Sequence, residues 1–252
     1  MSTAILPASI PSTLLTHDLG QESQREIGQS SAETTLYSYP QPKFSFEPSP
    51  AEPILYLPPI LSLLPLEYRQ PPTPPTESPN RGPHTPLSTE SHLPSIDEAS
   101  LALHHALHRF RAVTPDYALL PYPEAFNWDE IELPEDAEHE WYCVVFNSKR
   151  RAGSDGGGLY SADRLAHEEA VQNGGLIMYW YGTPHPKTGM NLATCIWQSR
   201  KDAIAANSRP HHIRAMRLAA ASYDHYTLKR YWLSKVKGER GVAVRPFEAT
   251  DT

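Results

Sequence analysis

Hydrophobic residues recur with a clear period only in the second half of the chain. Trp141-Tyr142-Cys143-Val144-Val145-Phe146 is rich in aromatic and β-branched residues and predicts a strand. Leu165, Ala166 and Ala170 then return at helical spacing, so a helix is expected from about Ser161. Asp163 falls in its first turn, Arg164 and Glu168 form an i,i+4 pair beside the apolar stripe, and Gly174-Gly175 stops it. Leu176–Tyr181 reads as a second strand, Gly182–Gly189 as a hairpin loop and Asn191–Gln198 as a third strand. A short helical piece is predicted over 201–206. A longer helix is predicted from about His211 to His225, with Ile213, Met216, Ala220 and Tyr223 as its core stripe. Leu228–Val236 is the last strand. The order β-α-β-β-α-β makes this an α+β, ferredoxin-like unit. Its strands carry large apolar side chains at both parities. In the second strand Ile177, Tyr179 and Tyr181 face one way and Met178 and Trp180 the other. Both sheet faces therefore require cover. A second copy of the sheet is the simplest cover and predicts a homodimer through the sheet face.

Upstream the pattern changes. Ser95-Ile96-Asp97-Glu98 has the spacing of a capping box, and Leu101, Leu103, Leu107 and Phe110 follow at helical intervals up to about Val113. Residues 95–124 are thus expected as helix and linker, 125–240 as the folded domain and 241–252 as a flexible end. His104, His105 and His108 lie on that first helix, 104 and 108 on one face. No zinc motif or third ligand accompanies them, so no metal is assigned and a solvated or half-buried face is expected. Residues 1–94 read as a long disordered, acidic, proline- and serine-rich tail, too polar to offset its ordering entropy. Within it, segment 53–68 is apolar enough to dock on the domain, which makes it the rival cover for the second sheet face. Pro71-Pro72-Thr73-Pro74-Pro75 offers two overlapping PxxP patterns that suit an SH3-type partner. Ser49, Thr73, Ser78 and Thr85 each precede a proline and are positions for proline-directed phosphorylation; a solvated linker explains the same residues.

Composition sharpens this division. Of 26 prolines, 22 fall within the first 134 residues, and all five tryptophans lie at or beyond position 128. The formal charge of −7 resides wholly in the first 124 residues, and the remainder is neutral. A neutral domain argues against nucleic-acid binding, which needs surplus positive charge. Cys143 and Cys195 sit in strand-like runs outside any metal spacing, so two reduced, buried thiols are expected. The N-terminus has no basic start of a secretory or mitochondrial signal, and the most apolar stretch is broken by Pro58, Pro59 and Pro65. A soluble protein of the cytoplasm or nucleus is the expectation, with no membrane contact. Gly156-Gly157-Gly158 lacks the lysine of a phosphate loop, and no helix is expected directly after it.

Three runs carry a resemblance: Tyr179-Trp180-x-Gly182, Asn191-Leu192-Ala193-Thr194-Cys195-x-Trp197, and Pro210-x-His212-x-x-Ala215-Met216. With Lys149-Arg150-Arg151, Asp163 and Glu169-Ala170, they resemble a family of fungal proteins that has no assigned activity, over about residues 125–235. The element order is similar to that of the dimeric α/β-barrel group. That group includes cofactor-independent monooxygenases of antibiotic biosynthesis, polyketide cyclases and some haem-degrading enzymes. The resemblance implies a pocket between sheet and helices, in which a His or Tyr and an Asn or Trp orient the substrate.

His212 is the leading catalytic candidate, as an imidazole near a helix start that can point at the sheet and act as a base. A core histidine bonded to backbone is its ordinary alternative. Asp163 and His167 are i,i+4, so the carboxylate can orient the ring; a surface pair explains them equally. Tyr179, Trp180, Tyr181, Trp197 and Trp232 are candidate aromatic lining and Asn191 a candidate hydrogen-bond donor, all against ordinary core or strand-start roles. His212 or His167 would be the axial ligand in a haem role, which ranks below acid–base chemistry; no cofactor is expected. Three functions follow in order: a small cofactor-independent monooxygenase- or cyclase-like enzyme acting on an aromatic or polyketide-like molecule; a non-enzymatic binding or scaffold protein recruited through its tail; and an RNA-recognition module, disfavoured because the third strand lacks the required aromatics.

Overall fold

A computed structural model describes residues 59–68, 86–154 and 156–248. The expectations for residues 1–58, the PxxP run Pro71–Pro75, the four proline-directed positions and residues 249–252 lie outside the described residues. The elements in chain order are β1 (Ile60–Leu63), β2 (Leu87–His92), α1 (Glu98–Ala106), a short α2 (Tyr122–Ala125), β3 (His139–Arg150), α3 (Gly156–Asn173) and β4 (Leu176–Trp180). After these come β5 (Met190–Trp197), α4 (Arg200–Asn207), α5 (Pro210–Ser222), β6 (Tyr223–Lys235) and β7 (Ala243–Pro246). One sheet holds all seven strands in the order β2-β1-β4-β5-β3-β6-β7. Its central four, β4-β5-β3-β6, are antiparallel and have the ferredoxin-like arrangement. The expected α+β class is therefore observed, enlarged by two strands on one side and one on the other.

Of the added strands, β1 falls within the apolar segment 53–68, where it joins the sheet edge rather than its face, and β2 and β7 lie where no strand was expected. Residues 87–92, expected within the unstructured tail, form the edge strand β2. Its sequence Leu-Ser-Thr-Glu-Ser-His has little apolar character, and its order comes from distant partners. Glu168 on α3 accepts the backbone N–H groups of Glu90 and Ser91 at 2.9 and 2.8 Å, and Arg164 pairs with Glu90 at 3.2 Å. Beside β2, β1 pairs with β4, Ile60 opposite Tyr179 and Leu61 opposite Met178. Leu61 is buried, and Ser62 donates to the carbonyl of Leu176.

The central strands are covered on both faces by this chain, whereas β6 from Asp224 to Arg230 is exposed. Helices α3, α4 and α5 lie on one side. On the other, α1 and a series of short turns bring Leu103, Leu107, Phe110, Tyr117, Tyr122, Phe126, Trp128 and Ile131 against Trp141, Cys143, Val145, Met178, Trp180 and Ile196. On this part of the sheet the cover that the sequence pattern assigned to a second copy comes from within the chain, while β6 from Asp224 to Arg230 stays exposed. The aromatic-rich residues 110–131 supply the apolar area instead.

Local corrections have simple causes. The cap of α1 is Asp97, which accepts the Ser100 N–H at 2.8 Å, so the helix starts two residues beyond the Ser95 box. His104 is buried, not solvated, and bonds the carbonyl of Ser62 at 2.8 Å; burial lowers its pKa to about 4. The register shifts between Leu176 and Met178, so Ile177 joins Met178 and Trp180 on the aromatic face. The helix α3 begins at Gly156 itself. The helix α5 ends at Ser222, which places Tyr223 on β6; Met216 is 46% exposed, Ala220 is exposed, and the face turned inward carries Ala215 and Ser222. At Gly175, φ is +89° and a Cβ would stand 2.2 Å from Asp202 Cβ, so this turn requires glycine.

Candidate functional site

The expected catalytic residues meet between α3, α5 and the sheet. Small side chains make the helix contact close: Ala162 and Ala166 of α3 pack on Ala215 of α5. Glu169 fixes the start of α5, accepting the N–H groups of His211 and His212 at 2.9 and 3.2 Å, where Arg209 offers no side-chain cap. One α3 carboxylate thus sets where His212 stands relative to Asp163 and His167, which are one turn apart on α3.

The sheet supplies the floor. Register places Tyr179 beside Cys195 and Val144, and Phe146 beside Ala193 and Leu228, with Ser148 opposite Tyr226. His167 lies over Tyr179, ring centres 3.6 Å apart, and its Nδ1 is 3.1 Å from the Tyr181 hydroxyl. Its Nε2 is 4.0 Å from the Asp163 carboxylate. Tyr160, one turn before Asp163, has its ring 6.5 Å from that of Tyr181. Tyr223 and Tyr226 stack 5.5 Å apart on β6.

Asp163 is half-buried, with 28% of its side chain exposed. Burial raises its pKa from 3.8 to about 7, against the opposing pull of His212 and of hydrogen bonds from Tyr179 and Tyr181. Burial likewise holds His167 neutral, its pKa lowered to about 3. His212 is lowered by burial and by His167, while Asp163 and Glu169 act the other way. Burial raises Tyr179 and Tyr181, and Tyr223 to about 12, so these phenols stay protonated donors at neutral pH. The groups that meet here are rich in hydroxyls and include one carboxyl whose pKa is raised to about 7.

Of the expected lining residues, Tyr179 and Tyr181 are here and the others are not. Trp180 points to the opposite face, 4.8 Å from both Tyr117 and Phe126. Trp197 lies further along β5 among Tyr142, Val171 and Ala203, and donates to Cys195 Sγ at 3.0 Å. Trp232 packs on Tyr142 and Phe247 near the other sheet edge. Asn191 braces the hairpin loop, donating to the Tyr181 carbonyl at 2.9 Å. The axial-ligand role does not suit His167, whose two nitrogens face Tyr181 and Asp163. Among the described residues no group of three metal-ligating side chains occurs, and no helix is long and apolar enough to cross a membrane. Tyr160, Tyr223 and Arg150 lie beside the candidate site residues and were not among those expected; Tyr223 was expected in the core stripe of a helix running to about His225, whereas β6 begins at Tyr223.

The PB2B2.08-like family model matches residues 83–246, spanning β2 to β7 and all the candidate site residues. The chain belongs to this family. UPF0643 protein PB2B2.08 of Schizosaccharomyces pombe is 31% identical over 137 residues, which are 48% of this chain and 62% of that protein. The matched part thus spans less than two thirds of the curated relative. Among solved structures, an antibiotic biosynthesis monooxygenase is 14% identical with a TM-score of 0.32, covering 38% of this chain and 98% of its own. A dimeric ferredoxin-like protein of unknown function from Bacteroides fragilis is 13% identical with a TM-score of 0.29, covering 36% and 94%. Rv0793 from Mycobacterium tuberculosis is 12% identical with a TM-score of 0.31, covering 36% and 91%. For the PB2B2.08-like chain, the ferredoxin-like arrangement rests on its own strand pairing.

Proposed function

We propose that the groups between α3, α5 and the sheet line a crevice that is the active site of a small, cofactor-independent enzyme that moves a proton on an aromatic or polyketide-like molecule. The observation that supports this reading is the proximity of Asp163, His167 and His212 to protonated tyrosines between α3, α5 and the sheet. Asp163, titrating near 7, can accept a proton from a phenol or an activated carbon and return it. Tyr179, Tyr181 and Tyr223 donate hydrogen bonds to the oxyanion that this leaves. His212 tunes the carboxyl and can share its proton. The resulting electron-rich anion is the species that adds to a carbonyl in cyclisation or reacts with dioxygen in oxygenation. Both cysteines are free and buried, which suits a reducing compartment such as cytoplasm or nucleus.

Native mass spectrometry of the full-length protein purified from its own host tests this directly. A discrete retained small molecule is expected, and its turnover should fall at least about a hundredfold in Asp163→Asn and His212→Ala, the span of general acid–base catalysis. Unchanged binding and turnover of that molecule in both variants would remove the proposal.

A further inference from the structure

The crevice has a cationic end. Arg150 lies opposite Tyr223 in the β3–β6 ladder. Its guanidinium carbon is 5.8 Å from the centre of the Tyr160 ring. Nη2 donates to the carbonyl and hydroxyl oxygens of Ser154 at 2.7 and 3.1 Å, which anchors the side chain. Its Nε is buried and meets no acceptor, and among the described residues no carboxylate lies at ion-pair distance from it. A guanidinium N–H withdrawn from water and left without an acceptor is unfavourable, so the site gains when an oxygen anion is brought to it. Tyr223 links the two ends of the cleft: both Asp163 and Arg150 act on its phenol. Aromatic rings gather nearby: Tyr160 and Tyr181 have ring centres 6.5 Å apart, and Phe146 and Tyr226 6.2 Å apart.

From this geometry we infer that the ligand of the crevice is an aromatic acid, its carboxylate held by Arg150, its ring among Tyr160, Phe146 and Tyr226, and its reactive end at Asp163. The inference rests on the crevice being the binding site proposed above, and it adds the substrate class. A guanidinium N–H without an acceptor makes a charge-assisted bond to a carboxylate oxygen that is stronger than its bond to the oxygen of a neutral amide.

The test is calorimetric and NMR titration of the full-length protein with two matched pairs: 4-hydroxybenzoate against 4-hydroxybenzamide, and 4-hydroxycinnamate against its amide. Each acid is expected to bind about tenfold more tightly than its amide, the scale of one charge-assisted contact. Arg150→Gln should abolish the preference, and Arg150→Lys, which keeps the charge and guards against a folding defect, should retain part of it. Equal affinity for acid and amide, binding of neither acid, or a preference that survives in Arg150→Gln would overturn the inference. The proton chemistry fails separately: a protein that binds acids through Arg150 but turns over no ligand keeps this inference and loses the enzymatic one.

Discussion

Replacing Asp163 by Asn isolates the electrostatic character of the crevice in a stability measurement that needs no ligand. In the folded chain the carboxyl titrates at about 7, and in the unfolded chain at its ordinary 3.8. A group whose pKa is raised by folding stabilises fully below 3.8, and that contribution is lost as pH rises through 7. Across that gap, at about 1.4 kcal/mol per pH unit, the loss is at most about 4 kcal/mol. The side chain keeps 28% exposure, so water screens part of this and about 2 kcal/mol is the working figure. Asn cannot ionise and retains an N–H donor and a carbonyl acceptor for Tyr179 and Tyr181. The variant should therefore match the wild type at pH 4 and exceed it by about 2 kcal/mol at pH 8.5. Urea titrations followed by tryptophan fluorescence at half-unit pH steps give the two profiles directly. Parallel profiles, or an Asn variant that is less stable at pH 8.5 than at pH 5 relative to wild type, would show a carboxylate that folds already ionised and paired. The assignment of Asp163 as a near-neutral proton acceptor would then be wrong.

Glu169→Ala removes the carboxylate that accepts the His211 and His212 N–H groups and should cost about 1 kcal/mol in urea, the usual value of a helix cap. Because those bonds also place His212, turnover of any ligand found in the crevice should fall more than stability does, and Glu169→Gln should recover part of both. A fragment of residues 125–252 should fail to stay monomeric in sedimentation or size-exclusion measurements, because it would expose Trp141, Trp180 and Ile196 where Phe110, Tyr117 and Tyr122 now cover them. A monodisperse, folded fragment would show that residues 59–124 are dispensable cover.

What the sequence made legible follows from the range of the forces involved. The strands β3, β4 and β5 and the helix α3 are dense apolar runs with local start and stop signals, and their order alone implied the ferredoxin-like core. The strand β1 showed only as an apolar segment with no predicted strand partner, and β2 has no such signal, because it is ordered by a carboxylate 77 residues away. The same holds for residues 110–131, whose aromatics are buried through irregular turns without a period to detect. Asp163, His167, His212, Tyr179 and Tyr181 were readable as candidates because helical spacing and strand parity already aimed them at one face. Trp180 was misplaced by treating aromatic character as lining, though its parity opposed Tyr179. Arg150 and Tyr223 were missed because their significance lies in cross-strand register, which only the long pairing of β3 with β6 reveals.

The pairing of β1 with β4 also sets a timetable for synthesis. Leu61 leaves the ribosome long before Met178, its partner across the ladder, is made. At about 5–20 residues per second, the wait is on the order of ten seconds. Throughout it, Leu61 and the aromatic stretch from Phe110 to Trp128 have no sheet to rest on. The nascent chain therefore presents this apolar surface before the strands that bury it exist.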